Sequence, residues 1–328
     1  TLVPCSPEVA SFAREYFFIR IWAAPATLSL MAFKGWFIGM QDTVRPMVVD
    51  IVVNVVNMVV SYILAVMTPM GALGVALGTV IAQYTGLTVA TILLLTKYHH
   101  LWRGQSLVRL AFDGHGMRRL LSLNGNLFVR SLCFMVVYVG FTSLASKYGD
   151  IELAVSTIMM KLFMLFSYFV DGFAYAGEAL VGKEIGYRES GIGNRESGIG
   201  RVVRLLFAWS LGVGVLFTIV FALCSDEFYR AMTSDVTVLA RLEDYTGWLI
   251  AMPIVSTLAF MWDGVYTGAT AGKQIRNGMI YAALAFVLGY LATYQYLDVI
   301  SIYIAYFAHL MARVLYLTFA WKPLLRNI

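Results

Sequence analysis

Nine apolar runs, each long enough to cross a lipid bilayer, dominate the chain: residues 14–40, 47–66, 71–96, 123–146, 151–179, 202–224, 246–270, 278–296 and 299–320. A hydrocarbon layer of roughly 30 Å takes about 20 helical residues to cross. Backbone polar groups in lipid must find partners within their own segment, so runs of this length form helices. The fold class is therefore all-α, a polytopic membrane bundle with about nine transmembrane helices. With 60% hydrophobic and 13% charged residues, the chain has too little polar surface for a water-soluble domain of 328 residues.

The loops between the runs divide the basic residues very unevenly. Arg45, Lys97, Arg103, Arg109, Arg118, Arg119, Lys183, Arg188, Arg195, Arg201, Arg204, Lys273, Arg276, Lys322 and Arg326 fall on one side, against Lys147, Arg230 and Arg241 on the other. The basic side is expected in the cytoplasm, with the C-terminus inside and residue 1 outside. The formal charge of +5 is thereby assigned to topology, and no nucleic-acid partner is expected. Cys5, Cys133 and Cys224 lie far apart with no clustered histidines, which argues against a disulfide frame or a metal site. Neither HExxH nor an aspartate-rich pair marks an intramembrane enzyme.

Three segments organise the chain: 1–96 with three spans, a cytoplasmic linker at 97–122, and 123–328 with six spans. The linker contains LVRLAFDGHGMRRLL, a basic amphipathic stretch suited to the lipid surface. RESGIGN at 188–194 is followed by RESGIGR at 195–201, a duplication read as loop expansion. A longer repeat is more informative. Tyr16, Lys34, Gly35 and Gly39 recur as Tyr245, Asp263, Gly264 and Gly268, all at an offset of 229, with Pro25 and Pro253 within one residue of it. Such parallel copies are a property of transporters built from two pseudo-symmetric lobes. The odd span count and an initial Thr1 fit a first lobe whose three earlier spans precede residue 1.

Charge inside these spans identifies the candidate site, because an ionisable group at bilayer depth needs a wet cavity or a partner. The run at 155–186 carries Lys161, Asp171 and Glu178. Asp171 and Glu178 are two helical turns apart, on a face near Tyr168 and Tyr175 that can bind a cation or pass a proton. Lys161 lies too deep to snorkel and is expected to have a partner. Arg130 reaches the level of Asp171 and Asp263, forming a charge layer expected to close a cytoplasmic gate. Lys34 and Asp263, equivalent and opposite in sign, are expected to pair when that gate is shut. Arg20 and Arg313 fall to packing or gating, and His309 to packing. Asn54 and Asn57, one turn apart in the second run, either bind substrate or bond to a neighbouring helix.

DGFAYAGEALVGKEIG at 171–186, WDGVYTGAT at 262–270, GWFIGMQDTVRPMVVDIVVNVVNMV at 35–59 and GALGVALGTVIAQY at 71–84 resemble the multidrug and toxic compound extrusion (MATE) family, in its DinF-like branch. The resemblance implies a twelve-span fold of two six-helix lobes in the bacterial inner membrane, monomeric when complete. It implies an antiporter exporting amphipathic or cationic organic compounds in exchange for H⁺ or Na⁺, with no other cofactor. Drug-like substrates and membrane lipids are the implied partners. Family members place an essential carboxylate in their first span, upstream of the region this chain matches. They also carry an Asn and, one turn on, an Asp in the fifth span; here Asn57 fits and Ser61 departs from the pattern. Asp263 resembles a second-lobe carboxylate of some members. The rival within the same superfamily is a lipid-linked oligosaccharide flippase, whose pyrophosphate would require a more evenly basic cavity.

Overall fold

In the computed structural model, which describes residues 7–102, 114–190 and 198–327, every apolar run is helical. The chain divides into two compact units, Thr1–Phe112 and Asp113–Ile328. The amphipathic linker stretch and the duplicated heptads fall partly on 103–113 and 191–197, outside the described residues.

The first unit comprises α1 (Pro7–Arg20), α2 (Ala24–Gly39), α3 (Val44–Val66) and α4 (Gly71–Trp102). The run at 14–40 is not one continuous helix, as its hydropathy suggested. A 3₁₀ turn at Ile21–Ala23 separates α1 from α2, with Pro25 immediately after it. Proline has no N–H to donate and its ring crowds the carbonyl four residues back, here that of Ile21. The hairpin of α3 and α4 closes on glycine. A methyl group added at Gly74 would lie 2.6 Å from the Leu64 backbone, and one at Gly78 would lie 2.8 Å from that of Ser61.

Asp42 holds the polar end of this unit together. Buried between α2 and α3, it accepts hydrogen bonds from Tyr98 (3.0 Å), Lys97 (3.2 Å) and the Arg45 guanidinium. Burial works against its charge, but these donors outweigh it and hold the Asp42 carboxyl below the ordinary value. Such a group stabilises the fold above its unfolded pKa and loses that contribution as pH falls through its folded one.

The second unit comprises α5 (Gly114–Ala145), α6 (Asp150–Glu189), α7 (Gly198–Met232), α8 (Val236–Glu243), α9 (Thr246–Gly268), α10 (Gly272–Leu297) and α11 (Ile300–Asn327). Helices α6 and α9 run parallel and meet backbone to backbone. A methyl at Gly264 would come within 2.2 Å of the Ala174 carbonyl oxygen, and one at Gly268 within 2.5 Å of that of Glu178. Contacts this close require glycine and fix the two helices in register. Helix α9 is tied to α11 by Trp262 Nε1 donating to Thr318 Oγ1 (2.9 Å) and Tyr266 Oη donating to the Leu317 carbonyl (2.6 Å). In the turn before Pro253, Thr218 of α7 donates to the Ile250 carbonyl at 3.1 Å, tying α7 to α9.

At the far end of this unit, Glu152 of α6 accepts from Arg241 of the short helix α8 (2.6 Å) and from Tyr245 Oη (3.1 Å). Arg241 also reaches Asp244 at 2.6 Å, and Tyr245 stacks on Tyr303 with ring centroids 4.8 Å apart. The hydrogen bond to Glu152 pushes the Arg241 pKa up, so its charge is fixed.

The repeat read from the sequence is a repeat of backbone geometry as well. After α2, Asp42 N donates to Phe37 O (2.8 Å) and Gln41 N to Ile38 O (2.9 Å). After α9, Ala271 N donates to Tyr266 O (2.9 Å) and Thr270 N to Thr267 O (2.9 Å). The left-handed residue in each turn is not glycine: Gln41 has φ +57° and Thr270 φ +52°. Both helices thus end in a Schellman motif. Every matched pair is 229 residues apart, as in the sequence.

Two outcomes follow for stability. Gly264→Ala lowers it by about 2 kcal/mol or more, because the α6 backbone must move away. The equivalent Gly35→Ala is neutral or gains up to about 1 kcal/mol, since a methyl there meets nothing within 4 Å; thermal unfolding of the two purified variants distinguishes them. Secondly, wild type loses stability below about pH 4 as Asp42 is protonated, and Asp42→Asn removes that part of the acid dependence in an unfolding series run from neutral pH downward.

Candidate functional site

Four helices of the second unit carry ionisable side chains to one place. Arg130 comes from α5, Asp171 and Glu178 from α6, Asp263 from α9 and Arg313 from α11, and all five line a cavity of about 410 Å³. The glycine contacts set the levels. Gly264 rests on Ala174 and Gly268 on Glu178, so Asp263 lies between Asp171 and Glu178 along the helix axis. Phe134, Phe260 and Leu127 supply apolar wall, while Ser131, Tyr175 and Thr267 add hydroxyls.

Asp263 is the centre of the arrangement, at only 7% exposed. Arg313 grips it with both arms, Nε donating to Oδ1 at 3.2 Å and Nη2 to Oδ2. Arg130 Nη2 also donates to Oδ2, at 2.5 Å. The two arginines are not alike. Arg313 is 3% exposed, with its guanidinium 5.6 Å from the Phe260 ring centroid. Arg130 keeps 34% of its side chain exposed. A fork-to-carboxylate pair is the geometry that best offsets the desolvation of buried charge, and planar guanidinium suits it.

The remaining sequence-derived candidates lie elsewhere. Lys34 and Asp263 each have a partner within their own unit: Lys34 pairs with Asp50 of α3 at 2.5 Å. Lys161 is exposed and makes no ion pair among the described residues, where a buried partner was expected. It shares a helix face with Tyr168 and Tyr175. Asn54 turns back on its own helix, donating to the Asp50 carbonyl at 2.9 Å, and the half-buried Asn57 makes no side-chain hydrogen bond among the described residues. His309 is 1% exposed and packed on Tyr306, with no partner for Nδ1. Among the described residues, no three His, Cys, Asp or Glu gather closely enough to hold a metal ion.

Sequence reasoning passed over Asp50. It interrupts an apolar run as visibly as Asp171 does, and the rule that intramembrane charge needs a partner would have coupled it to Lys34 one helix away. Glu152 was missed for another reason: its partners Arg241 and Tyr245 are about ninety residues away, with no local signal between them.

Comparison with known proteins gives the family. The MatE family model matches residues 2–63 and 127–295, well over half of the chain. The chain belongs to the MatE family. It is 32% identical to the DNA damage-inducible protein F of Escherichia coli strain K12, over 99% of this chain and 69% of that protein. It is 25% identical to Protein DETOXIFICATION 43 of Arabidopsis thaliana and 23% to human multidrug and toxin extrusion protein 1, over 85% and 86% of this chain. Those matches span 51% and 48% of the two relatives, so the chain covers about half the length of each. Among solved structures, the fold is similar to an outward-facing multidrug resistance MATE transporter of the MOP superfamily (TM-score 0.83, 15% identity, 99% of this chain and 72% of that one). It is equally similar to the bent form of the Vibrio cholerae MATE transporter VcmN (TM-score 0.83, 15% identity, 98% and 72%). Family membership places the chain among multi-pass membrane transporters and not among enzymes.

Removing the central carboxylate isolates Arg313 in the interior. Asp263→Asn is expected to cost about 3–5 kcal/mol. Adding Arg313→Met, which leaves no unpaired buried charge at that position, recovers more than half of the loss in the same unfolding measurement.

Proposed function

We propose that this chain forms part of a secondary active efflux antiporter, exporting amphipathic and cationic organic compounds in exchange for H⁺ or Na⁺. The observation that carries the reading is the charged cavity: five charged side chains from four helices, among apolar and hydroxyl-bearing walls. A site purely for packing would be cheaper to build from apolar residues of similar volume. Ionisable groups held at this depth mark a pathway for ions or substrate.

In this reading the first unit belongs to an N-lobe and the second to a C-lobe. Access alternates as the lobes rock around a central site, with the arginine-rich loops and the C-terminus in the cytoplasm of a bacterial plasma membrane. The aspartate between two arginines acts as a gate lock on the cytoplasmic side. Protonation of Asp171 changes how strongly the cavity holds Arg130, and that difference couples ion movement to the lobes. The complete protein works as a monomer. The mixture of three carboxylates and two guanidiniums favours the antiporter over a flippase for a pyrophosphate-linked saccharide, which needs net positive charge.

Inside-out vesicles carrying the protein test the proposal. Ethidium uptake is expected on imposing a pH or sodium gradient, lost or reduced about tenfold or more in Asp171→Asn, the effect of losing one charged coupling group. Gradient-independent ethidium distribution in wild type would refute it.

A further inference from the structure

The cavity of the second unit contains its own cations. Three carboxylates line it, Asp171, Glu178 and Asp263, and two guanidiniums face them, Arg130 and Arg313. Among the described residues no other charged group lines it: α5 adds Ser131, α6 adds Tyr175, α9 adds Thr267. Both oxygens of Asp263 are already engaged by guanidinium N–H groups, Oδ1 by Arg313 and Oδ2 by Arg313 and Arg130 together. A hard inorganic cation needs a shell of oxygen ligands and tolerates no like charge beside it. Asp263 cannot supply the one without encountering the other.

The arginines divide the work by their surroundings. Arg313 is buried, forked onto the carboxylate and set against Phe260, so it belongs to the frame. Among the described residues Arg130 makes a single side-chain hydrogen bond, through one nitrogen, from a different helix and with a third of its side chain still exposed. Its flexible stem lets the guanidinium move between carboxylates lining the same cavity. Asp171 feels both guanidiniums and the Asp263 charge.

We propose that Arg130 is the resident cation of this cavity, its guanidinium standing where a sodium ion would otherwise balance Asp263 and Asp171, so that the second unit takes no sodium. The inference depends on the antiporter reading for its place in coupling, but not for its test, which reads ion binding without transport. It also assigns Arg130 as the residue that sets ion specificity in this unit. Without it, Asp171 and Asp263 are balanced by Arg313 alone, and the nearby hydroxyls of Ser131 and Thr267 become available as oxygen ligands.

The experiment compares unfolding midpoints of the purified protein in sodium chloride and in choline chloride at equal ionic strength. Wild type is expected to show the same midpoint in both. Arg130→Gln is expected to unfold at a lower temperature in choline and to gain roughly 3 °C or more in sodium. Arg130→Lys, which keeps the charge, stays indifferent to sodium, and Arg130→Gln with Asp171→Asn loses the gain. A sodium-dependent rise in wild type that Asp263→Asn abolishes would overturn the inference, and so would Arg130→Gln gaining nothing from sodium. Should Arg130→Gln fail to fold, binding of radioactive sodium to wild type, Arg130→Lys and Asp263→Asn decides. Retention by wild type that Asp263→Asn abolishes refutes the inference, and no retention by either arginine- or lysine-bearing protein upholds it. Vesicles that move no ethidium while this pattern holds would refute the antiporter reading and leave the cation assignment standing.

Discussion

A carboxylate held between two guanidiniums, in a largely apolar bundle, governs how the second unit is built. Charge at that depth is tolerated only if its geometry is fixed, because an arginine that drifts away leaves a bare aspartate in a medium of low dielectric. The fixing comes from glycine. Gly264 follows Asp263 directly and lies against the Ala174 carbonyl, and Gly268 lies one turn on against Glu178. Helix α9 is thereby registered to α6, the helix that bears the other two acids. Helix α11, bearing Arg313, is tied to α9 by the hydrogen bonds of Trp262 and Tyr266. Of the four helices at the site, three are locked to one another, and the fourth, α5, carries the arginine with the greatest freedom.

The opposite end of the unit uses the same chemistry for a different purpose. Glu152, Arg241 and Tyr245 join three separate elements by hydrogen bonds and a stacked ring, with Arg241 sitting over Tyr245 at 5.3 Å. A cavity of about 410 Å³ lies beside each cluster, and at the Asp263 site Arg130 is held, among the described residues, by one hydrogen bond. At Glu152 the acceptors and donors are matched around Arg241, whose guanidinium meets a carboxylate on each side. Neither mixed charge nor open volume therefore distinguishes a working site from a structural clasp; the arrangement of donors around the acceptors does.

The spans were legible in the sequence because hydropathy is a local property, and twenty apolar residues have few alternatives in lipid. The break at Ile21–Ala23 was hidden by that same hydropathy, which takes no account of the hydrogen bond that Pro25 cannot make. Asp171, Glu178, Asp263, Arg130 and Arg313 stood out as charges in apolar runs. Arg130, Asp171 and Asp263 were legible as one charge layer, but the sequence withheld Arg313 as the forked partner of Asp263, since the two are 50 residues apart and nothing local joins them. The expectation for Lys161 shows the limit of the depth argument. Position along a helix can be read from the sequence, but the direction a side chain faces depends on neighbouring helices, and Lys161 is exposed.

The repeat shows how one backbone serves two chemistries. The turns after α2 and α9 share their hydrogen bonds and their left-handed residue, yet Gln41 and Thr270 have no side-chain chemistry in common. Backbone geometry has outlasted sequence, since an αL residue at a Schellman turn costs something for Gln and more for β-branched Thr, and is kept only where the following helix must leave at a set angle. The side chains two turns earlier have diverged further, to opposite charge. Lys34 is answered by Asp50 on the next helix of its own unit, whereas Asp263 is answered by arginines from α5 and α11. Each copy thus neutralises its intramembrane charge, but only the second does so with more than one donor to a single carboxylate. Surplus donors around one acceptor are what allow a partner to leave without stranding the charge, and this makes the second copy the one suited to exchanging its counter-ion.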